Sequence, residues 1–145
     1  MGGKTHVTKV YMLNKLGISA DAVWRVIGGF NALPDWHPAI ERSELDEGGR
    51  VRTLGLVGGG AITERLDEHD DAERTYTYSI TQNPLPVANY TATIKVTEED
   101  DGCKVEWSSL FDPHGASEGE ASEVIEGIYK AGFDNLRRLL GVPTT

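Results

Sequence analysis

A single cysteine, Cys103, stands in the 145 residues, so no intramolecular disulfide can form and zinc sites built on paired cysteines are excluded. Basic residues are scarce as well: 14 Lys and Arg face 23 Asp and Glu, a formal net charge of −9. That balance repels phosphate backbones and anionic membrane surfaces, and no nucleic-acid partner is expected. No segment approaches the roughly 20 apolar residues of a membrane span, and the opening MGGKTHVTKV lacks the apolar core of a signal peptide, so a cytoplasmic protein without integral membrane association is expected. There is no Gly-x-Ser-x-Gly nucleophile elbow. The four histidines fall on separate predicted elements without paired ligand spacing, so neither a metal nor a cofactor is expected. Internal repeats and low-complexity tracts are also missing.

What is present is the ordinary material of a globular protein, with 39% hydrophobic and 26% charged residues. The length predicts one domain over 1–145, and 17 glycines predict many turns. VTKVYMLNKLG reads as a first strand. Ser19 then caps a predicted helix in which Val23, Val26, Ile27 and Phe30 recur at helical spacing, and the prolines of NALPDWHP allow only a short second helical turn. From Ile40 to Asp112 the turn signals EGG, GGG, DDAE, NPLP and EDDG separate runs of strand length, which predicts an antiparallel meander of about six strands. With the first strand the sheet has seven. The last segment, SEGEASEVIEGIYKAGFDNLRRLLG, predicts a long amphipathic helix. Ser117 and Glu120 make a capping box, Val124, Ile125, Ile128, Leu136, Leu139 and Leu140 a stripe, and Gly141 a stop.

Alternation along the strands selects the inward side chains. In AITERLDEH one face carries Ile62, Glu64 and Leu66, while Thr63, Arg65, Asp67 and His69 take the other. A carboxylate on an apolar face needs a partner or a ligand, unless a bulge leaves it solvated. The preceding GGG, residues 58–60, is not followed by Lys-Ser or Lys-Thr and opens a strand, so it reads as a hairpin turn and not as a phosphate loop. VANYTATIKV puts Ala88, Tyr90, Ala92, Ile94 and Val96 inward. Tyr90, flanked by small residues, reads either as the wall of a cavity or as a core tyrosine whose hydroxyl reaches the surface. Tyr76, Tyr78 and Ile80 join that face, as do Cys103, Val105, Trp107, Ser109 and Phe111. Gly132 interrupts the inward stripe of the last helix, either to leave room over the sheet or to let helix and sheet pack closely. His37 in PDWHP and His114 in FDPHG lie in loops, where functional residues concentrate.

The order strand, helix pair, six-strand meander and long helix resembles the helix-grip fold of the SRPBCC superfamily, which includes START domains, polyketide cyclases and birch-pollen-allergen-like proteins. LPDWHPAIERSEL, ITERLDEHDDAERTYTYSI and PLPVANYTATIKV resemble its bacterial polyketide cyclase/dehydrase-like branch, and are similar also to the plant abscisic-acid receptors. The resemblance implies an α+β fold in which a curved seven-stranded sheet grips the C-terminal helix around a cavity for an apolar or amphipathic molecule. It implies polar or aromatic ligand contacts at Glu64, Tyr78 and Tyr90, and it aligns His37 with the receptors' ligand-carboxylate lysine. The receptors' gate and latch are replaced here by LVGGGA and NPLPVA, so hormone sensing with phosphatase docking is not implied.

Three functions follow as expectations. The first is a binding protein for a small hydrophobic or amphipathic, lipid- or polyketide-like molecule. Its site residues would be His37, Glu64, Tyr78, Tyr90, Ala92, Phe111 and Gly132, with Glu64 as anchor and His37 near the mouth. The second is a cyclase or dehydratase-type enzyme with Glu64 or Tyr90 as general acid–base. The third is a protein-interaction module without a ligand.

Overall fold

The computed structural model describes residues 7–142. Strand β1 (Thr8–Leu16) leads through helix α1 (Ala20–Ile27) and the single-turn α2 (Leu33–Trp36) to β2 (Ile40–Asp46). After a 3-10 turn come β3 (Val51–Leu56), β4 (Ala61–Asp70), β5 (Thr75–Gln82), β6 (Val87–Glu99), β7 (Gly102–Pro113) and finally helix α3 (Glu118–Leu140). The seven strands make one antiparallel sheet in the order β1-β7-β6-β5-β4-β3-β2. Only the step from β1 to β2 crosses the sheet, and α1 and α2 fill that connection. The architecture is the α+β helix grip that the element order predicts. Among the described residues no helix is long and apolar enough to cross a membrane.

Local chemistry accounts for the helix ends. The Ser19 hydroxyl accepts from the Ala22 N–H, and α1 stops at Gly28, so Phe30 lies beyond it although buried. Ser117 and Glu120 form the reciprocal capping box of α3, and Gly141 ends the helix in the left-handed conformation, where glycine pays no Cβ penalty. At 23 residues α3 is about 35 Å long at 1.5 Å per residue, enough to run the length of the sheet.

The face α3 buries is rotated from the predicted stripe. Ala121, Ile125, Tyr129, Gly132, Phe133 and Leu136 are buried, whereas Val124 and Leu139 are exposed. Two overlapping apolar stripes exist on this helix, and the wider one, with its two aromatics, faces the sheet. Each large side chain buried there contributes about 1.5–3 kcal/mol.

Bulges adjust the alternation at both ends of the inner face. One between Leu66 and Glu68 flips the parity of β4, so His69 packs beside Trp24 and its Nε2 bonds the Gly28 carbonyl oxygen at 3.0 Å. Another, at positive-φ Asn89, turns Val87 inward in place of Ala88. Gly58, Gly59 and Gly60 all have φ near +100° (90, 107 and 98°) and close the β3–β4 hairpin, with the Leu56 N–H bonded to the Gly60 carbonyl at 3.0 Å.

Candidate functional site

Glu64 faces the interior, as alternation predicts, and is 5% exposed. Its partner is Arg52, directly opposite on β3 and only 1% exposed. Arg52 Nε and Nη2 approach the same carboxylate oxygen, Oε1, at 2.8 and 2.6 Å, and Nη1 donates to the Phe30 carbonyl. The guanidinium lies 4.2 Å from the Phe30 ring centroid and 5.1 Å from that of Tyr78, so π faces replace part of its lost hydration. Burial weakens the hold of Arg52 on its proton, but the charge and hydrogen bond of Glu64 together with Tyr76 and Tyr78 outweigh it, and the guanidinium holds that proton more tightly than usual. For Glu64 burial raises the pKa against the pull of Arg52. The second oxygen, Oε2, accepts no hydrogen bond among the described residues.

A cluster of hydroxyls lies beside this pair. Tyr90 on β6 and Tyr129 on α3 share a hydrogen bond, joining sheet to helix. Trp107 on β7 donates its Nε1–H to the Tyr78 hydroxyl at 3.1 Å and stacks on Tyr129 with ring centroids 4.2 Å apart. Burial pushes Tyr78, Tyr90 and Tyr129 above the usual phenol range, so all three stay neutral near pH 7. The Ser109 hydroxyl, next along β7, is buried without a full hydrogen bond.

His37 ends α2 and is 2% exposed, so it lies well inside the molecule and not at an open mouth. Its Nδ1 accepts from the Ala39 N–H at 3.1 Å, which leaves the proton on Nε2, 2.7 Å from the Ile128 carbonyl of α3. Desolvation lowers its pKa, only partly offset by that carbonyl. Gly132 is what admits the ring. A Cβ there would lie 2.8 Å from His37 Cδ2, 3.0 Å from Trp36 Cζ3 and 3.1 Å from Trp107 Cζ3. Gly132 therefore opens no room over the sheet; of the two readings, close packing is the one realised.

Between α3 and the inner face of the sheet remains a space of about 40 Å³, walled by Leu54, Ile62, Leu85, Ile125 and Ile128 and by Trp107. Its polar lining consists of His37, Glu64, Tyr78 and Tyr90. Four of the seven predicted site residues thus converge on one space. The other three lie behind it: Phe111 stacks on Tyr90, Ala92 is buried beside Tyr78 across the β5–β6 ladder, and Gly132 is covered by rings. His114 stands apart in the β7–α3 connection. Arg52, Tyr129 and the Trp107 indole complete the polar arrangement and were not anticipated. The signal for Arg52 is present in VRTLGL, where alternation sets it on the face of Leu54, opposite a strand already carrying an inward carboxylate. Among the described residues no group of three or more His, Cys, Asp or Glu is placed to hold a metal ion.

Residues 8–141 match the family described as polyketide cyclase / dehydrase and lipid transport, and the chain belongs to that family. The solved structure of the protein XoxI from Bacillus cereus is 44% identical, covers 93% of this chain and 95% of its own, and superposes with a TM-score of 0.85. An uncharacterised protein from Bacillus thuringiensis is 46% identical over 92% of this chain and 98% of its own, with a TM-score of 0.84. The ZhuI aromatase/cyclase from Streptomyces sp. R1128 shares the fold at 21% identity, covering 94% of this chain and 93% of its own, with a TM-score of 0.73. The chain matches none of the curated proteins.

Proposed function

We propose that the protein binds a small, mainly apolar molecule in the space between α3 and the inner face of the sheet, with Glu64 as its polar contact. The observation that carries this reading is the Glu64 carboxylate. It lies in the wall of an apolar space with one oxygen engaged by Arg52 and the other left to accept a hydrogen bond from a molecule in that space. The family, with its cyclase and lipid-transport members, supports a ligand-binding or cyclase-type role.

Binding is favoured over acid–base catalysis by the state of the candidate groups. A general acid or base works best with a pKa near the operating pH. The Tyr90 phenol is pushed far from it, and Glu64 is already committed to a guanidinium. The space of about 40 Å³ has room for roughly three waters, against the several hundred Å³ of a typical ligand pocket, so the described state is closed. Leu85 and Ile128 are only partly buried and line the space, and their displacement is the way in. The test is methyl NMR of the purified protein titrated with small neutral aromatics. Saturable shifts at Leu54, Ile62, Leu85 and Ile128 are expected; shifts scattered over the surface, or none, would refute the reading.

A further inference from the structure

The charge inventory of this space goes further than its shape. Every polar group that lines it, with one exception, is already satisfied by the protein. Both nitrogens of His37 are taken by backbone groups, so the ring has neither a free donor nor a positive charge for a ligand anion. Arg52 does not line the space; its contacts are the Glu64 carboxylate, the Phe30 carbonyl and ring faces. Tyr90 is engaged with Tyr129. What is left is Glu64 Oε2, an acceptor without a partner, since the Tyr78 hydroxyl accepts from Trp107 and is hydrogen-bonded with Tyr90 as well.

From this inventory we infer that the site selects an uncharged molecule bearing a hydroxyl group on an apolar body, and rejects carboxylates. The inference rests on the binding function proposed above. A hydroxyl is a donor that carries no charge, and so can give its proton to Glu64 Oε2 while the rest of the molecule fills the apolar space. The Arg52–Glu64 pair is neutral as a unit. A ligand carboxylate therefore brings a second anion to Glu64 with no free cation to meet it, and an ammonium brings an extra cation beside Arg52; either leaves an unpaired charge in a desolvated space. The resemblance that aligns His37 with a carboxylate-binding lysine points to an acid ligand; the hydrogen bonds of His37 point away from one.

Phenol, toluene and benzoate test this as three probes of similar size and different polarity, titrated at pH 7.5 with the Leu54, Ile62 and Leu85 methyls as reporters. Phenol should bind several-fold more tightly than toluene and at least tenfold more tightly than benzoate. Glu64→Gln leaves Arg52 without its counter-charge and should invert the order, with benzoate ahead of phenol. Should that variant fail to fold, the double variant Arg52→Leu/Glu64→Leu, which removes both charges together, should place toluene first. Benzoate matching phenol on the native protein, or toluene doing so, overturns the selectivity and leaves an apolar binding site standing. Failure of all three probes to shift these methyls overturns the binding function and this inference with it.

Discussion

Replacing Gly132 by alanine pits two well-measured effects against each other at one atom. In an open helix position the change stabilises by about 0.8–1.0 kcal/mol, since glycine loses the most backbone entropy on folding. At Gly132 the added methyl would stand 2.8 Å from His37 Cδ2 and about as close to Trp36 and Trp107, three ring edges with no flexible end to swing away. Overpacking of this kind costs about 1–3 kcal/mol, and loss of the His37 bond to the Ile128 carbonyl about 0.5–1.5 kcal/mol more. The balance is a net loss of about 0.5–3.5 kcal/mol. Gly127 supplies the control on the same helix, for nothing lies within 4 Å of its Cβ position. Gly127→Ala should therefore raise stability by up to about 1 kcal/mol, a Tm rise of about 2–4 °C for a chain of this size. Urea denaturation of both variants is the assay. If Gly132→Ala equals or exceeds Gly127→Ala in stability, the ring-against-helix argument is wrong, and with it the account of how His37 reaches α3.

Two further outcomes follow from the buried groups. Arg52→Ala should cost about 3–5 kcal/mol by stranding the Glu64 carboxylate, while Arg52→Met with Glu64→Leu should recover most of that loss in chemical denaturation; an additive double variant would show that the two side chains do not act as a pair. For His37, whose native pKa lies below its unfolded value of about 6.5, the unfolded chain takes up the proton first. Its contribution is therefore complete above about pH 6.5 and is lost as the pH falls towards the lowered native pKa, at up to about 1.4 kcal/mol per pH unit. Urea midpoints between pH 7.5 and 5.5 should fall more steeply for the native protein than for His37→Gln, and parallel slopes would assign the pH dependence to other groups.

Much of the fold is legible in the sequence because hydrophobic period and turn chemistry are local. Ser117 with Glu120 and Gly141 mark both ends of α3 without any knowledge of what packs on it. The inward positions of Glu64, Tyr78 and Tyr90 are legible for the same reason. What connects them is not, because pairing across strands depends on register: Arg52 meets Glu64 only through the β3–β4 hairpin, and Tyr129 meets Tyr90 only once α3 has chosen its face. On that helix the spacing of Val124, Ile128 and Leu139 is as regular as that of Ile125, Tyr129 and Leu136, and only the sheet decides between them. Gly132 was ambiguous for the opposite reason, since a missing side chain marks a void and a close contact alike.

The crowding of rings against the middle of α3 also makes the protein its own optical probe. Trp36 and Trp107 lie 5.4 Å apart at 52°, and Trp107 is stacked on Tyr129, so two of the three indoles and a phenol are held rigidly in one asymmetric array. Fixed aromatic packing of this kind is what near-ultraviolet circular dichroism records. Trp24, with its Nε1–H on Asp71 at 2.9 Å and its ring beside His69, stands further off and joins the array only through Tyr76 and Tyr78. Since Trp107 itself walls the space, binding of the kind proposed above is expected to alter the signal of the array, a readout that needs no label.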